Sequence, residues 1–142
     1  MKELLEEIVN KIYVSRGEEY IRFEREWYNN ESRIIATYET DADCCSETWF
    51  ADIIGVDSLL GQEVIGIEKI PYWEPKDDRT RQDLDTAYGY KLKTEKGITD
   101  IIFRNSSNGY YGGSIDRYTG VEPEVDWVEI TKDWSAPGSA GE

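Results

Sequence analysis

The hydrophobic pattern at the start of the chain has helical spacing. Leu4, Leu5, Ile8, Val9 and Ile12 recur three or four residues apart, with glutamates between them. This pattern predicts an amphipathic helix of about three turns. The early glutamates also suit the positive end of a helix dipole.

The next two segments alternate apolar and polar residues, which is typical of strands. "EYIRFEREWY" places Ile21 and Phe23 on one face and Arg22 and Glu24 on the other. "SRIIATYET" follows after "NNES", a loop whose asparagines tolerate left-handed backbone. We expect the two segments to form a β-hairpin.

The block "DADCCSETWFADIIG" predicts a second, short helix. Its apolar positions Cys45, Trp49 and Ile53 recur at helical spacing, so Cys45 is expected to face the core. Asp43 stands where an N-cap is expected and Gly55 where a C-cap is expected. The following "DSLLG" predicts one further short helical turn.

The second half of the chain predicts mostly strands. "QEVIGIEKIP" reads as a strand that ends at Pro71, and the mixed charges of Tyr72–Asp85 predict a long exposed loop. "TAYGYKLKT" and "ITDIIFRN" flank "EKG", which predicts a hairpin with Gly97 in its turn. "YYGGSIDRY" predicts the next strand of the meander, in which Gly112 and Gly113 mark a bulge or a close approach of another backbone. "VDWVEITKDW" predicts a last, edge strand.

These elements together predict an α+β fold. We expect a mostly antiparallel, twisted sheet of about five to six strands, with the N-terminal helix and the short central helix on one face. Residues 1–134 are expected to form a single α+β domain. Residues 135–142, rich in Ser, Ala, Gly and Pro, are expected to be a disordered tail.

The charge balance narrows the classes of partner. The chain has 30 acidic against 16 basic residues, a formal net charge of −14. Such a field repels nucleic acid and anionic membranes and attracts basic protein surfaces. Solubility alone also explains an acidic composition. The chain has no long apolar run and its first residues are acidic, unlike a signal peptide, so we expect a cytoplasmic protein.

The residue types argue against catalysis. The chain has no histidine, which excludes Ser-His-Asp triads, Cys-His pairs and imidazole metal ligands. Cys44 and Cys45 have no second cysteine pair with which to bind zinc, and the acidic run lacks the spacing of an EF-hand loop. No glycine-rich phosphate loop is present. We therefore expect no enzymatic activity, no cofactor and no metal.

Two sets of candidate binding residues remain. Acidic side chains concentrate in two stretches and form the expected partner-binding surface: Asp41, Asp43, Glu47, Asp52, Asp57, Glu122, Glu124, Asp126 and Glu129. A second set combines aromatic rings with arginines that could face the phosphates of a small nucleotide: Tyr90, Arg104, Tyr110, Tyr111 and Arg117.

Two blocks resemble a known family. "DADCCSETWFADIIGVDSLLGQEV" and "YGYKLKTEKGITDIIFRNSSNGYYGGSI" are similar to a family of small acidic proteins of uncharacterised function, encoded mostly by bacteriophages and other mobile elements. The shared pattern is a double cysteine before a short helix and a hairpin that leads into "SNGYYS", where this chain has Gly112 instead of the serine. The resemblance covers Thr40 to Ile115. It implies a phage origin and a single domain, and it implies no mechanism.

The leading hypothesis is therefore a phage-type accessory protein in the cytoplasm of an infected bacterium. Its acidic surface would mimic nucleic acid and inhibit a host defence or nucleic-acid-processing enzyme, as an anti-CRISPR protein does. The expected partner is a basic, nucleic-acid-binding host protein, with no direct contact to nucleic acid or membrane. A homodimer through an open sheet edge is a further expectation. The alternatives are sequestration of a small nucleotide signal and a structural or assembly role in the phage.

Overall fold

The protein is almost entirely β-structure. The computed structural model describes residues 1–28, 31–43, 45–108 and 112–137. Strands account for 57% of the chain and helical residues for 5%. The helical residues lie in short 3-10 turns, such as Lys2–Leu4 and Val56–Ser58. The α+β prediction is therefore wrong, since the described residues contain no α-helix.

The described strands are short at the chain ends and long in the middle. In chain order they are β1 (Ile8–Val9), β2 (Lys11–Ser15), β3 (Tyr20–Glu26), β4 (Ser32–Ala42), β5 (Glu47–Ile54), β6 (Gln62–Glu63), β7 (Gly66–Trp73), β8 (Leu84–Thr94), β9 (Gly97–Ser107), β10 (Gly113–Arg117), β11 (Trp127–Glu129) and β12 (Trp134–Ser135).

Ten of these strands form two antiparallel sheets. The first sheet has the order β10-β4-β3-β2-β11, and the second has the order β12-β5-β9-β8-β7. The β3–β4 hairpin is confirmed, with Tyr20 opposite Glu39. The β8–β9 hairpin around "EKG" is also confirmed, with Thr94 opposite Gly97. The remaining strands, β1 and β6, pair with each other in a small third sheet.

One hydrophobic core joins the two large sheets into a sandwich. The first sheet contributes alternate inward residues, and the second contributes large side chains from its three central strands. The main members are Ile12, Val14, Ile21, Phe23, Ala36, Tyr38, Phe50, Ile53, Leu92, Ile101 and Phe103. Edge-to-face packing of Phe23 on Tyr38, with ring centroids 6.1 Å apart, lies within this core.

The N-terminal helix prediction is wrong. The chain turns at Glu6, whose φ is 68°, and continues as β1 and β2. Ile12 and Val14 then alternate inward with period two, as strand residues do. β-Branched residues favour this conformation, and the neighbouring β3 supplies the backbone partners that a strand requires. The residues with helical spacing therefore belong to a turn and two strands.

The central helix prediction is wrong for a related reason. Residues 47–54 form β5, in which five consecutive residues from Trp49 to Ile53 are buried. Both faces of this strand are covered, and a bulge lies between Phe50 and Asp52, so the alternation that marks a strand is lost. Cys45 is exposed with a φ of 71° and does not face the core. Cys44 lies outside the described residues.

The predicted boundaries around the long loop also need correction. β7 continues through Pro71 to Trp73, because β7 is an edge strand and the proline lies in an irregularity of the ladder between Ile70 and Trp73. The next strand of the predicted meander, β10, pairs with β4 of the other sheet. At Gly113 a Cβ atom would lie 2.2 Å from Thr48 Oγ1. This glycine therefore marks a close approach, but the group that approaches is the Thr48 side chain and not another backbone.

Candidate functional site

A row of carboxylates follows the outer face of β4 at its C-terminal end. Glu39, Asp41 and Asp43 are spaced two residues apart, so they share one face of the extended chain. On the adjacent β10, Asp116 lies directly opposite Glu39. We call these four residues, Glu39, Asp41, Asp43 and Asp116, the acidic row. Asp41, Asp43 and Asp116 are exposed and Glu39 is partly buried.

The acidic row is not neutralised. Within the described ranges, no lysine or arginine lies within ion-pair distance of its four carboxylates. The negative charge contributes to a raised pKa at two nearby tyrosines. Burial is the larger cause at both; the second cause is Glu39 for the pKa of Tyr20 and Asp116 for the pKa of Tyr90. Like charges directly opposite on neighbouring strands destabilise a sheet. The fold therefore keeps Glu39 and Asp116 side by side although their carboxylates repel each other.

Backbone contacts fix the end of the acidic row. The Asp43 amide donates to the Gly112 carbonyl at 3.2 Å, and the Gly112 amide donates to Asp43 Oδ2 at 3.1 Å. The Asp43 carbonyl also accepts a hydrogen bond from the Ser46 hydroxyl at 2.9 Å. These bonds connect the first sheet to the turn that leads into β5 and hold the carboxylates in place.

The other predicted acidic residues are more scattered. Glu47 is exposed at the start of β5, 3.7 Å from Arg81, whereas Asp57 is exposed in a turn beyond the opposite end of that strand. Glu122 is paired with Arg22. Glu124 and Asp126 lie in the segment between β10 and β11, and Glu129 lies on β11. All three are exposed. Asp126 lies 4.0 Å from Arg16.

Asp52 has a structural role and is not part of an exposed surface. It is 7% exposed and receives two hydrogen bonds from the Arg79 guanidinium, at 3.2 and 3.1 Å. The Ser135 hydroxyl donates a further bond to Asp52 Oδ1 at 2.6 Å. Asp52 therefore anchors the loop 74–83 and the chain end against β5.

A second arginine, on β9, also anchors the loop 74–83. Arg104, 3% exposed on β9, donates to Asp77 Oδ1 at 2.9 Å and to Asp85 Oδ2 at 3.1 Å. The hydrogen bond from Arg104 is the largest effect on Asp77 and, against the opposing effect of burial, holds the pKa of Asp77 far below its usual range. Arg81 stacks 4.0 Å from the Trp49 ring centre. The predicted exposed loop is therefore bound across the outer face of the second sheet.

Two of the five residues predicted for a nucleotide pocket meet in a cleft. Tyr90 on β8 and Arg117 on β10 both line a groove between the open edges of the two sheets. Arg104 lies on the opposite face of the second sheet, bound to aspartates, and does not reach this groove. Tyr110 and Tyr111 lie outside the described residues.

The cleft has two adjoining halves of about 500 Å³ each. One half is lined by cationic side chains, Lys2, Lys69 and Arg117, and the other by the rings of Tyr72, Tyr88 and Phe103. Lys69, Tyr90 and Ile115 line both halves. The halves therefore form one continuous groove, lined on one side by cations and on the other by aromatic rings.

A buried tyrosine closes the floor of the cationic half. The Tyr38 hydroxyl donates to Glu3 Oε1 at 2.7 Å. Burial, and then this hydrogen bond, raise the pKa of Tyr38 far above its usual range, so it stays protonated. This bond holds the charged Glu3 carboxylate at the edge of the cationic half.

Sequence reasoning missed several residues of both surfaces. The alternation of Glu39, Asp41 and Asp43 indicates a shared strand face. The residues directly after them have helical spacing, which predicts a helix there instead. Nothing local indicated Asp116 or Lys69, because both reach their places through pairing between distant strands.

The described residues show neither a metal site nor a membrane span. No group of three or more His, Cys, Asp or Glu residues among them is placed to hold a metal ion. Across the same residues, no helix is long and apolar enough to cross a membrane.

Comparison with known proteins places the chain in a family. Residues 3–117 match the model described as Domain of unknown function (DUF7448). An uncharacterised protein of Acanthamoeba polyphaga mimivirus is 32% identical over 79 residues, which cover 54% of this chain. The match spans 62% of that relative, less than two thirds of its length. No solved structure matches. Since the matched model covers most of the chain, the protein belongs to the DUF7448 family.

Proposed function

We propose that this protein is a viral accessory protein that inhibits a host defence or nucleic-acid-processing enzyme by binding its basic surface. The observation that carries the proposal is the acidic row, in which Glu39 and Asp116 oppose each other across two strands and no lysine or arginine of the described residues lies within ion-pair distance of either. A sheet that keeps such a pair sacrifices some stability. A basic partner would supply the missing positive charge and turn the repulsion into attraction.

The physical mechanism is competition for the same basic residues. Lysines and arginines that bind nucleic acid face one phosphate charge after another along the backbone. The acidic row offers them carboxylates about 6.6 Å apart along β4, the repeat of every second strand residue. The net charge of −14 adds long-range attraction that raises the rate of encounter. The partner would then lose access to its nucleic acid.

Two likenesses support the viral setting. The double-cysteine and hairpin blocks resemble proteins of bacteriophages and mobile elements, and a relative is encoded by mimivirus. A virus gains from proteins that disable host enzymes, and a compact acidic domain suits binding. The location consistent with this proposal is the cytoplasm of an infected host.

The proposal is tested by capture from host lysate with three forms of the tagged protein. The first is the native protein and the second is the Asp41→Lys/Asp116→Lys variant. The third is Glu63→Lys/Glu95→Lys, which changes the net charge equally at two exposed acids outside the acidic row. Bound proteins are eluted with salt or with heparin and identified by mass spectrometry, and the purified candidate is assayed for nucleic-acid binding.

The expected result is one basic protein that the native and control forms retain and the Asp41/Asp116 variant loses. The native protein should displace nucleic acid from that partner, and the displacement should weaken as salt rises. Equal capture by all three forms, or capture that resists salt, would show that the acidic row is not the binding surface.

A second candidate function is sequestration of a small nucleotide signal. Its support is that Tyr90 and Arg117, which are distant in sequence, line the same cleft. The assembly alternative uses the open edges β7 and β10 for self-association and predicts a dimer or larger species. Sedimentation of the purified protein checks that alternative directly.

A further inference from the structure

We infer that the cleft between β7–β8 and β10 binds a small anion that carries a planar aromatic ring, of the nucleoside monophosphate class. The ring would lie on the aromatic half and the phosphate in the cationic half. This site is separate from the inhibitory surface proposed above, apart from Asp116 at the border of both. The inference rests on the second candidate function above, nucleotide sequestration, and its test succeeds or fails independently of the acidic row.

The cationic half is unusual in so acidic a protein. Lys2, Lys69 and Arg117 come from three different parts of the chain and gather around one space. Among the described residues, none of the three has a carboxylate within ion-pair distance. The two carboxylates that also line this half are Glu3, which accepts the Tyr38 bond, and Asp116 on the rim. Three cations therefore face this space with two carboxylates, which leaves an excess of positive charge for an anion.

The aromatic half supplies a flat surface for a ring. Tyr88 and Phe103 are stacked with centroids 5.2 Å apart and an angle of 14° between their planes. Tyr72 lies beside this pair, with its ring centroid 6.4 Å from that of Tyr88 and its plane tilted by 44°, and the residue is 74% exposed. A base that stacked on Tyr72 would cover apolar surface that water now reaches, which favours binding.

The arrangement of the halves selects the class of ligand. Their volumes of about 500 Å³ each fall within the usual range for small-molecule sites. Tyr90 lies on the border, where its hydroxyl can meet the sugar. Arginine and lysine are the side chains that proteins use for phosphate. A polynucleotide is disfavoured by the net charge of −14, whereas a mononucleotide fits within the groove.

The inference is tested by isothermal titration calorimetry with AMP, GMP and UMP, and with adenosine and ribose 5-phosphate as half-ligands. At least one nucleotide should bind with a Kd on the order of 10 μM, from typical ligand efficiencies. Adenosine and ribose 5-phosphate should each bind at least roughly tenfold more weakly than AMP, because each uses one half of the cleft.

Variants assign the two halves. Lys69→Gln/Arg117→Gln should weaken nucleotide binding at least roughly tenfold and leave adenosine unchanged, and Tyr72→Ser should weaken both nucleotide and adenosine. Lys76→Gln/Lys132→Gln, at two exposed lysines that do not line the cleft, removes the same charge as the double variant and is the matched control. These are surface positions, and the thermal midpoint of each variant verifies folding.

Three results would overturn the inference. One is the absence of binding by every nucleotide up to about 1 mM, the weak end of the affinity scale. Another is unchanged nucleotide affinity in the Lys69/Arg117 double variant. The third is ribose 5-phosphate binding as tightly as AMP, which would reduce the cleft to a simple anion site. Nucleotide binding by the Asp41→Lys variant should be unaffected, which separates this site from the acidic row.

Discussion

Glu39 and Asp116 are direct cross-strand partners on the outer face of the first sheet, and neither is paired with a cation in the described structure. Cβ atoms in such positions lie about 4.5–5.5 Å apart. Two residues 77 positions apart in the sequence thus create the densest part of the acidic row. This relationship is a cost to the fold, which the proposed binding role would offset.

Removal of one charge of this pair should stabilise the protein. Asp116→Asn is expected to raise the free energy of unfolding by a few tenths of a kcal/mol, because it relieves like-charge repulsion across the two strands. Urea denaturation at low salt measures the change. Glu95→Gln, which removes an exposed charge in the β8–β9 turn, is the control and should change stability less. A destabilised Asp116→Asn variant would contradict this interpretation of the pair.

The buried ion pair beneath the loop should be sensitive to the loss of one partner. Arg104→Ala leaves Asp85, whose side chain is 1% exposed, without its counter-charge, and should destabilise the fold by about 3–5 kcal/mol. The double variant Arg104→Met/Asp85→Leu removes both charges and should recover much of that loss. Chemical denaturation of Arg104→Met, of Asp85→Leu and of the double variant completes the mutant cycle and gives the coupling energy. Additive effects would show that the two side chains do not depend on each other.

Acid should weaken the attachment of the loop 74–83. The pKa of Asp77 is lowered in the folded protein by its bond from Arg104, so its stabilising effect is complete above the unfolded pKa of about 4. That contribution is lost as the pH falls below about 4 toward the lower folded pKa. Denaturation between pH 2 and pH 7 should show a smaller acid-dependent loss for Asp77→Asn than for the native protein. Asp78→Asn, at an exposed neighbour, should behave like the native protein.

The adjacent glycines at the start of β10, Gly112 just before the strand and Gly113 as its first residue, should respond differently to alanine. At Gly113 a Cβ atom would lie 2.2 Å from Thr48 Oγ1, whereas at Gly112 the nearest atom would be the Tyr88 hydroxyl oxygen at 3.6 Å. Gly113→Ala should therefore destabilise the fold by about 1–3 kcal/mol, and Gly112→Ala should be nearly neutral. Thermal unfolding of both variants makes the comparison. Equal effects would mean that the contact with Thr48 relaxes without strain.

The hairpins were predictable because their signals are local. Alternating residues in β3, and Gly97 where β9 begins after the turn, determine pairing between neighbours in sequence. The two helix predictions are wrong in segments where apolar residues occur next to each other. Trp49 to Ile53 are buried on both faces, so the segment shows no alternation, and helical spacing appears by coincidence.

The sequence by itself determined the charge, the absence of imidazole chemistry and the two local hairpins. These depend on composition or on residues a few positions apart. Tertiary structure alone decided that Asp116 meets Glu39, that Arg104 is buried between Asp77 and Asp85, and that Lys69 joins Arg117 in one cleft. Each of these arrangements depends on the register between strands distant in sequence, which no local pattern specifies because the backbone partners of a strand lie outside it.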